Sequence, residues 1–196
     1  MNTDIKQIIE NHQKLTIPII GKYVRNRRLL DAGCGNGVNS YLFNQKFKSD
    51  VTLLDVEDLR EDEAKAFPFI KSGIDTLPFN DKSFDVAFLQ YVIHHLPPEI
   101  AVDEVLRELG RVSEMLIIVE EIFTNRTNRE RAKAFDAKMN KILHPDSQMK
   151  TYVYYTDEKG KAAIIAAGLN LAEEKIIDEG SEEDGYLQRK IYIINS

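Results

Sequence analysis

The chain has 196 residues, of which 43% are hydrophobic and 30% charged, with a formal net charge of −6. This length suits one domain with a single core, and the acidic balance disfavours a nucleic-acid partner relative to a small molecule. One cysteine and four histidines show no paired zinc-ligand spacing, so we expect neither an internal disulfide nor a metal. The sequence shows no secretory signal pattern or long apolar stretch, which predicts a cytoplasmic protein without a membrane span. Oligomeric state is not defined by the sequence.

Short apolar runs alternate with segments of helical periodicity, which predicts an α/β fold around a parallel sheet. Residues 1–25 predict one or two capping helices, with Pro18 as an interruption. The predicted strands are 28–31, 51–55, 67–71, 84–89, 115–119, 171–177 and 187–194, and the main predicted helices are 38–47, 98–109, 125–143 and 156–167. An acidic turn separates the last two strands, so we expect an antiparallel hairpin at the sheet edge.

Glycines follow the first predicted strand at positions 33, 35 and 37. Glycine lets the backbone approach a ligand closely, and ligands of parallel α/β sheets lie at the carboxyl ends of the strands. The dinucleotide fingerprint G-x-G-x-x-G needs a glycine where Val38 stands, and a P-loop needs a Lys-Ser or Lys-Thr pair that is missing. The loop therefore favours a ligand other than NAD or a nucleoside triphosphate.

Four sequence blocks occur in the order found in one enzyme family. LLDAGCGNG at 29–37 is followed by Asp55 at the end of the second strand, by LPFNDKSFD at 77–85 and by VIHHL at 92–96. Together they resemble the class I S-adenosylmethionine-dependent methyltransferases, of the methyltransferase domain 11 and small-molecule type. The resemblance covers roughly residues 29–120 and returns from 155 onward. It implies a Rossmann-like, doubly wound, seven-stranded, mostly parallel sheet with helices on both faces, as one domain over 1–196.

The resemblance implies S-adenosyl-L-methionine as the cofactor and S-adenosyl-L-homocysteine as its product. Gly33 and Gly35 would pass beneath the methionine moiety, and Asp31 would accept hydrogen bonds from its amino group. Asp55 would accept the ribose hydroxyls, and Gln90 would lie near the methionine end. Carboxylates suit a ligand that carries a cationic amino group and a cationic sulfur. Capping of nearby loop amides is the alternative role for Asp31.

The adenine-contacting position departs from the family pattern. Counted back from the block at 77–85, the usual aspartate falls on Gly73, followed by Ile74 and Asp75. The carboxylate is missing or displaced by two residues. The backbone at Gly73 and Ile74 would recognise the adenine edge, and Asp75 is the replacement carboxylate.

Catalytic candidates follow the fourth and fifth strands. His95 and Glu121 are candidates for removing a proton from a hydroxyl acceptor, although methyl transfer depends first on positioning and does not require a base. Tyr91 and His94 are candidates for the substrate pocket. The alternatives are structural: the histidines would hydrogen-bond loop backbone, and Glu121 would pair with the arginines of 126–131.

The acceptor and the methylated atom, O, N or C, stay open. We expect an insertion at 125–155, together with the N-terminal helices, to wall the acceptor pocket. One alternative is a tRNA or other RNA methyltransferase, because the block at 92–96 also occurs in relatives that act on modified tRNA. A second is a regulatory protein that binds the cofactor without catalysis, suggested by Gly73.

Overall fold

A computed structural model describes residues 3–143 and 150–196 of the chain. The helices are α1 (Thr3–Val24), α2 (Val38–Phe47), α3 (Val102–Val112), α4 (Arg129–Leu143) and α5 (Asp157–Ala166), with short 3-10 turns at Asp62–Ala64 and Ile93–His95. The strands are β1 (Arg28–Ala32), β2 (Asp50–Asp55), β3 (Phe69–Lys71), β4 (Phe84–Gln90), β5 (Ser113–Phe123), β6 (Tyr155–Thr156), β7 (Asn170–Asp178) and β8 (Gln188–Asn195). Within the described ranges, no helix combines the length and apolar character that a membrane span requires.

The strands form a mixed sheet of order β3-β2-β1-β4-β5-β8-β7, and β6 adds two residues beside β5. Strands β1 to β5 pair in parallel, whereas β8 runs antiparallel between β5 and β7. The order changes direction between β1 and β4, so the loops that leave these strands diverge to opposite sides of the sheet. This switch point opens a crevice at the carboxyl ends of the strands.

Helices cover both faces of the sheet because each presents an apolar stripe. In α3, the buried positions Val102, Val105, Leu106 and Leu109 recur at helical spacing, and this stripe packs with α5 in one core cluster. On the other face, Ile20 of α1 and Phe43 of α2 belong to a second core cluster. The doubly wound α/β fold predicted from the sequence is therefore confirmed, with the short strand β6 added to the seven expected strands.

The last helix and hairpin follow the local signals in the sequence. The Thr156 side chain accepts a hydrogen bond from the Lys159 N–H at the start of α5, and Gly168 just beyond its end has a φ of +77°. Strands β7 and β8 form the expected antiparallel hairpin. At the other end of the chain, α1 is one helix that contains Pro18.

Strand β5 is the main departure from the predicted elements. The sequence predicts a strand over 115–119 with Glu120 and Glu121 at its end, but β5 continues to Phe123 and both carboxylates lie inside it. They are buried, with 3% and 7% of their surface exposed. Two buried acidic residues within a strand need partners, and those partners lie in the candidate site.

Candidate active site

A cavity of about 490 Å³ lies at the carboxyl ends of β1, β2 and β4 and extends beneath α4. Every site residue predicted from the sequence contributes to its lining: Asp31, Gly33, Gly35, Asp55, Gly73, Ile74, Asp75, Gln90, Tyr91, His94, His95 and Glu121. The insertion predicted at 125–155, called the covering segment from here on, contributes Phe135, Asp136, Met139, Asn140, Lys150 and Tyr152. Residues 144–149 of the predicted insertion lie outside the described residues. The cavity therefore joins the glycine loop to the covering helix.

The glycine loop is fastened to the end of β2. The N–H groups of Gly33 and Cys34 donate to the Leu54 carbonyl at 2.8 and 3.1 Å, and the Gly35 N–H donates to Asp55 Oδ2 at 2.8 Å. Gly33 has a φ of +75°, in the left-handed region that favours glycine. One Asp55 carboxylate oxygen thus fixes the loop at the edge of the cavity.

Replacing Gly33 with alanine should destabilise the protein more than the same change at Gly168. Both glycines have a left-handed φ, which costs an L-residue about 1–2 kcal/mol. A Cβ at Gly33 would lie 2.5 Å from Val92 Cγ2, whereas one at Gly168 meets no atom of the described residues within 4 Å. We expect Gly33→Ala to lose roughly 1–3 kcal/mol beyond Gly168→Ala, measured by urea unfolding. Equal losses of stability in the two variants would show that the Val92 side chain moves aside without a cost in free energy.

Asp31 is a buried carboxyl group at the end of β1. It accepts a 2.5 Å hydrogen bond from the Ser40 hydroxyl of α2 and is 3% exposed. Burial raises the pKa of Asp31 to about 7, against the lowering effect of the Ser40 hydrogen bond, and the nearby Asp55 charge raises it further. In the described part of the chain, no cation compensates this carboxyl group, so a ligand cation in the cavity would stabilise its charged form.

Asp75 occupies the space above Gly73. A Cβ built on Gly73 would lie only 2.6 Å from Asp75 Oδ1, and both residues line the cavity with the buried Ile74. The displaced carboxylate therefore folds back over the position where the family has its aspartate. An adenine contact by Asp75 stays a prediction.

Gln90 and Tyr91 mark the turn at the end of β4. Gln90 Oε1 accepts a hydrogen bond from Asn39 Nδ2 at 3.2 Å, which links β4 to α2 across the cavity. Tyr91 has a φ of +57°, a backbone conformation that few side chains other than glycine adopt. Its N–H donates to the Val119 carbonyl at 2.9 Å, which holds this turn against β5.

His94, which lines the cavity, forms a buried pair with Glu120. Nδ1 of His94 lies 2.5 Å from Glu120 Oε1, and Oε2 of the same carboxylate accepts the Ile93 N–H at 3.0 Å. Burial opposes the charged form of His94, but Glu120 and the neighbouring carboxylates outweigh it and raise the pKa of His94 to about 9. His95 has its Nδ1 2.9 Å from the Lys150 carbonyl, and burial with the adjacent His94 charge lowers its pKa to about 4.

Glu121 is paired with Arg189, a residue that sequence patterns did not single out. Arg189 Nε lies 3.2 Å from Glu121 Oε1, and its Nη1 contacts Asp178 and Asp184 at 2.8 and 2.9 Å. The expected pairing of Glu121 with the arginines of 126–131 is wrong in this structure, because β8 places Arg189 directly opposite Glu121. Burial raises the pKa of Glu121, and the Arg189 charge offsets only part of this rise, so the pKa is about 7.

The covering segment supplies a second group that sequence patterns missed. Asp136 of α4 is buried, and its Oδ2 accepts hydrogen bonds from Asn140 and Thr151. Tyr154 stacks on the His94 ring with centroids 5.5 Å apart. None of the described side chains of α1 lines the cavity, so the expected wall from the N-terminal helices is not seen in that part of the chain.

Comparisons with known proteins agree with this geometry. Residues 30–114 match the family model described as a methyltransferase domain. A protein of Encephalitozoon cuniculi, provisionally named a methyltransferase, is 36% identical over 90 residues, which are 46% of this chain and 41% of that protein. The family-model match runs from β1 through α3 to the start of β5. Residues 30–114 are therefore similar to a methyltransferase domain over less than half of the chain.

Solved methyltransferase structures share the fold over most of the chain. A S-adenosylmethionine-dependent methyltransferase of Methanosarcina mazei superposes with a TM-score of 0.71 at 18% identity, over 91% of this chain and 97% of that one. The 1,6-didemethyltoxoflavin-N1-methyltransferase of Burkholderia thailandensis gives 0.68 at 15% identity, over 94% and 77%. At these identities the likeness shows the fold alone. The sequence match to the curated Encephalitozoon cuniculi protein spans less than half of that protein's length.

The family match bears differently on the two halves of the cavity. Asp31, Asp55 and Gln90 lie inside the matched segment, whereas Glu121, Asp136 and Arg189 lie beyond it. The family therefore bears on the half around the glycine loop. The half beneath α4 combines His94 and His95, which lie inside the matched segment, with Glu121 and Asp136, which lie beyond it.

Proposed function

We propose that this protein transfers a methyl group from S-adenosyl-L-methionine to a small-molecule acceptor and releases S-adenosyl-L-homocysteine. The observation that carries the proposal is the single cavity that joins Asp31, Asp55 and the glycine loop to the pocket beneath α4. A donor at the first end and an acceptor at the second would meet near Gln90 and Tyr91. Holding the two reactants in line is the main requirement of such a transfer.

The residues at the glycine loop fit the cofactor. The bound group supplies an activated methyl on a sulfonium. Asp31 offers a buried carboxyl group that a ligand ammonium would stabilise in its charged form, and Gly33 and Gly35 leave the backbone without side chains beside it. One oxygen of Asp55 binds the loop, and the carboxylate faces the cavity where ribose hydroxyls would donate to it. Asp75 replaces the missing carboxylate at Gly73.

The pocket beneath α4 would hold the acceptor. Phe135, Met139 and Tyr152 give it an apolar wall, which suits a small organic guest more than a polymer backbone. His95 and Glu121 both line it and are our candidates for taking a proton from a hydroxyl acceptor. An acceptor that arrives as a neutral amine needs neither group.

The two alternative functions have less structural support. RNA binding would use the basic runs at 25–28 and 126–133, but Arg28 is paired with Asp85 at 2.7 Å and Arg131 with Glu182 at 2.8 Å. A binding protein without catalysis was suggested by Gly73, and Asp75 compensates for that glycine. A small-molecule acceptor therefore accounts for more of the observations than either alternative.

Calorimetric titration with S-adenosylmethionine and S-adenosylhomocysteine tests the proposal. We expect both to bind the wild-type protein, and Asp55→Ala to weaken binding by about tenfold to a hundredfold through the loss of charge-assisted hydrogen bonds. Asp62→Ala is the matched control, because Asp62 is exposed and lies outside the cavity lining. Absence of binding to the wild-type protein would refute the assignment. Binding without turnover across an acceptor screen would favour the regulatory alternative.

A further inference from the structure

Three possible metal ligands converge beneath α4. His94 and His95 belong to the 3-10 turn after β4, and Asp136 comes from the covering helix. One ligand atom from each lies within 4.8 Å of the other two, and all three residues line the cavity. The set is assembled by folding from two distant segments, so ligand spacing along the chain does not reveal it.

The hydrogen bonds of the two histidines fix which ring nitrogens are available. A carbonyl or a carboxylate accepts hydrogen bonds, so Nδ1 of His95 donates to the Lys150 carbonyl and Nδ1 of His94 donates to Glu120. The Nε2 atoms are therefore the positions left to bind a cation. A carboxylate or carbonyl behind the distal nitrogen is the usual support of a metal-binding histidine.

The third ligand, the carboxylate of Asp136, is also oriented by hydrogen bonds. Asn140 and Thr151 both donate to Oδ2 of Asp136, which leaves Oδ1 facing His94. Oδ1 lies 3.8 Å from His94 Nε2, beyond hydrogen-bonding distance. An ion at about 2.0–2.2 Å from both atoms would fit between them. The two ligand atoms that lie farthest apart, at up to 4.8 Å, would approach each other by roughly an ångström through side-chain rotation.

We propose that His94, His95 and Asp136 bind a divalent first-row transition metal ion in the acceptor pocket. Two imidazoles and one carboxylate suit zinc, iron or cobalt better than magnesium or calcium, which prefer oxygen ligands. Three protein ligands leave coordination positions open toward the cavity. This replaces the sequence-based expectation of no metal, and it assigns His95 to the ion rather than to proton removal.

The ion would select the acceptor class, a step that rests on the proposed methyltransferase function. An open position on a metal binds an oxygen or nitrogen atom of the acceptor and stabilises its deprotonated form. Acceptors with a hydroxyl or another donor atom within reach of the ion are therefore the favoured substrates. The carboxylates around His94 stabilise any positive charge at its Nε2 atom. A proton therefore competes with the metal ion for Nε2.

The test titrates the full-length, chelator-treated protein with cobalt(II) and follows its visible absorption, with zinc(II) as competitor. We expect one equivalent to bind with an imidazole-type spectrum and zinc to displace it. Asp136→Asn and His95→Gln should each weaken binding by roughly tenfold or more, whereas the exposed Asp62→Asn should not. These variants avoid the deeply buried His94, whose replacement risks misfolding.

Two results would overturn the metal site: wild-type protein that binds no cobalt, or binding that is equal in wild type, Asp136→Asn and His95→Gln. Circular dichroism of each variant checks that it is folded. Titration of the same proteins with S-adenosylhomocysteine reports on the glycine-loop half separately. Wild-type protein that binds S-adenosylhomocysteine but no cobalt refutes the metal site alone, and wild-type protein that binds cobalt but no S-adenosylhomocysteine refutes the cofactor assignment alone.

Discussion

Asp31→Asn is expected to make the protein more stable at pH 8 while it weakens binding of S-adenosylhomocysteine. The folded-state pKa of Asp31 is about 7, above the ordinary value of 3.8, because the carboxyl is buried. Ionising it in the folded protein is therefore unfavourable. The penalty is absent below the unfolded pKa, grows as the pH rises from about 4 to 7, and is constant above that. The difference between a pKa of 3.8 and one of about 7 corresponds to a loss of folding free energy of roughly 4 kcal/mol as an upper bound.

Asparagine keeps an acceptor for the Ser40 hydroxyl and removes the charge. Urea unfolding of wild type and Asp31→Asn at several pH values measures the difference, and Asp62→Asn is the exposed control. The stability gap should widen from pH 4 to 7 and then level off. Affinity for the ligand should fall by about tenfold or more, because its ammonium loses a carboxylate partner. Identical pH dependence in the wild type and Asp31→Asn would show that Asp31 does not titrate in this range.

A carboxyl group that destabilises the empty protein is physically reasonable at a binding site. Asp31 is held in place by Ser40, and the described residues provide it with no compensating cation, so in the proposed function the ligand would supply the positive charge. Natural proteins lose stability at functional positions in this manner, which is why removing the charge improves folding and impairs binding together. A structural carboxyl of equal burial would be accompanied by its own cation, as Glu121 is by Arg189.

The glycine-loop half of the site could be predicted because its signals are local. A strand, a glycine turn and a strand-end acid occur within short segments, and parallel pairing of β1 with β2 brings Gly35 to Asp55. Counting residues also predicts Asp75 as a displaced carboxylate near Gly73. The proximity of Asp75 Oδ1 to Gly73 is visible only in the folded chain, and the adenine contact stays a prediction.

The half beneath α4 could not be predicted because its partners are distant in sequence. Glu120 and Glu121 look like the polar end of a strand until β8 pairs with β5 and His94 turns toward them. Their burial is tolerable only because each carboxylate has a partner. Asp136 likewise has no local signal, since a charged residue on a surface helix is ordinarily solvated.

Arg189→Met should be the most destabilising of the substitutions considered. The Arg189 side chain is 4% exposed and compensates Glu121 and Asp184, both buried, as well as the half-exposed Asp178. Removing one partner of a buried charge network leaves the others uncompensated, at a cost of about 3–5 kcal/mol. Asp184 also accepts the N–H groups of Ser181 and Tyr186, so the loop between β7 and β8 should loosen as well. Urea unfolding measures the loss.

The matched control is Arg131→Met, which removes an exposed arginine paired with Glu182 of the same loop. Solvent screens that pair, so its removal should change stability little. In the double variant Arg189→Met with Glu121→Gln, neutralising the orphaned carboxylate should recover about 0.5–3 kcal/mol relative to additivity. Additive losses, or equal losses for Arg189→Met and Arg131→Met, would mean that water already solvates Glu121 through the cavity. In that case Glu121 is accessible as a proton acceptor, and its role would shift from structural pairing toward catalysis.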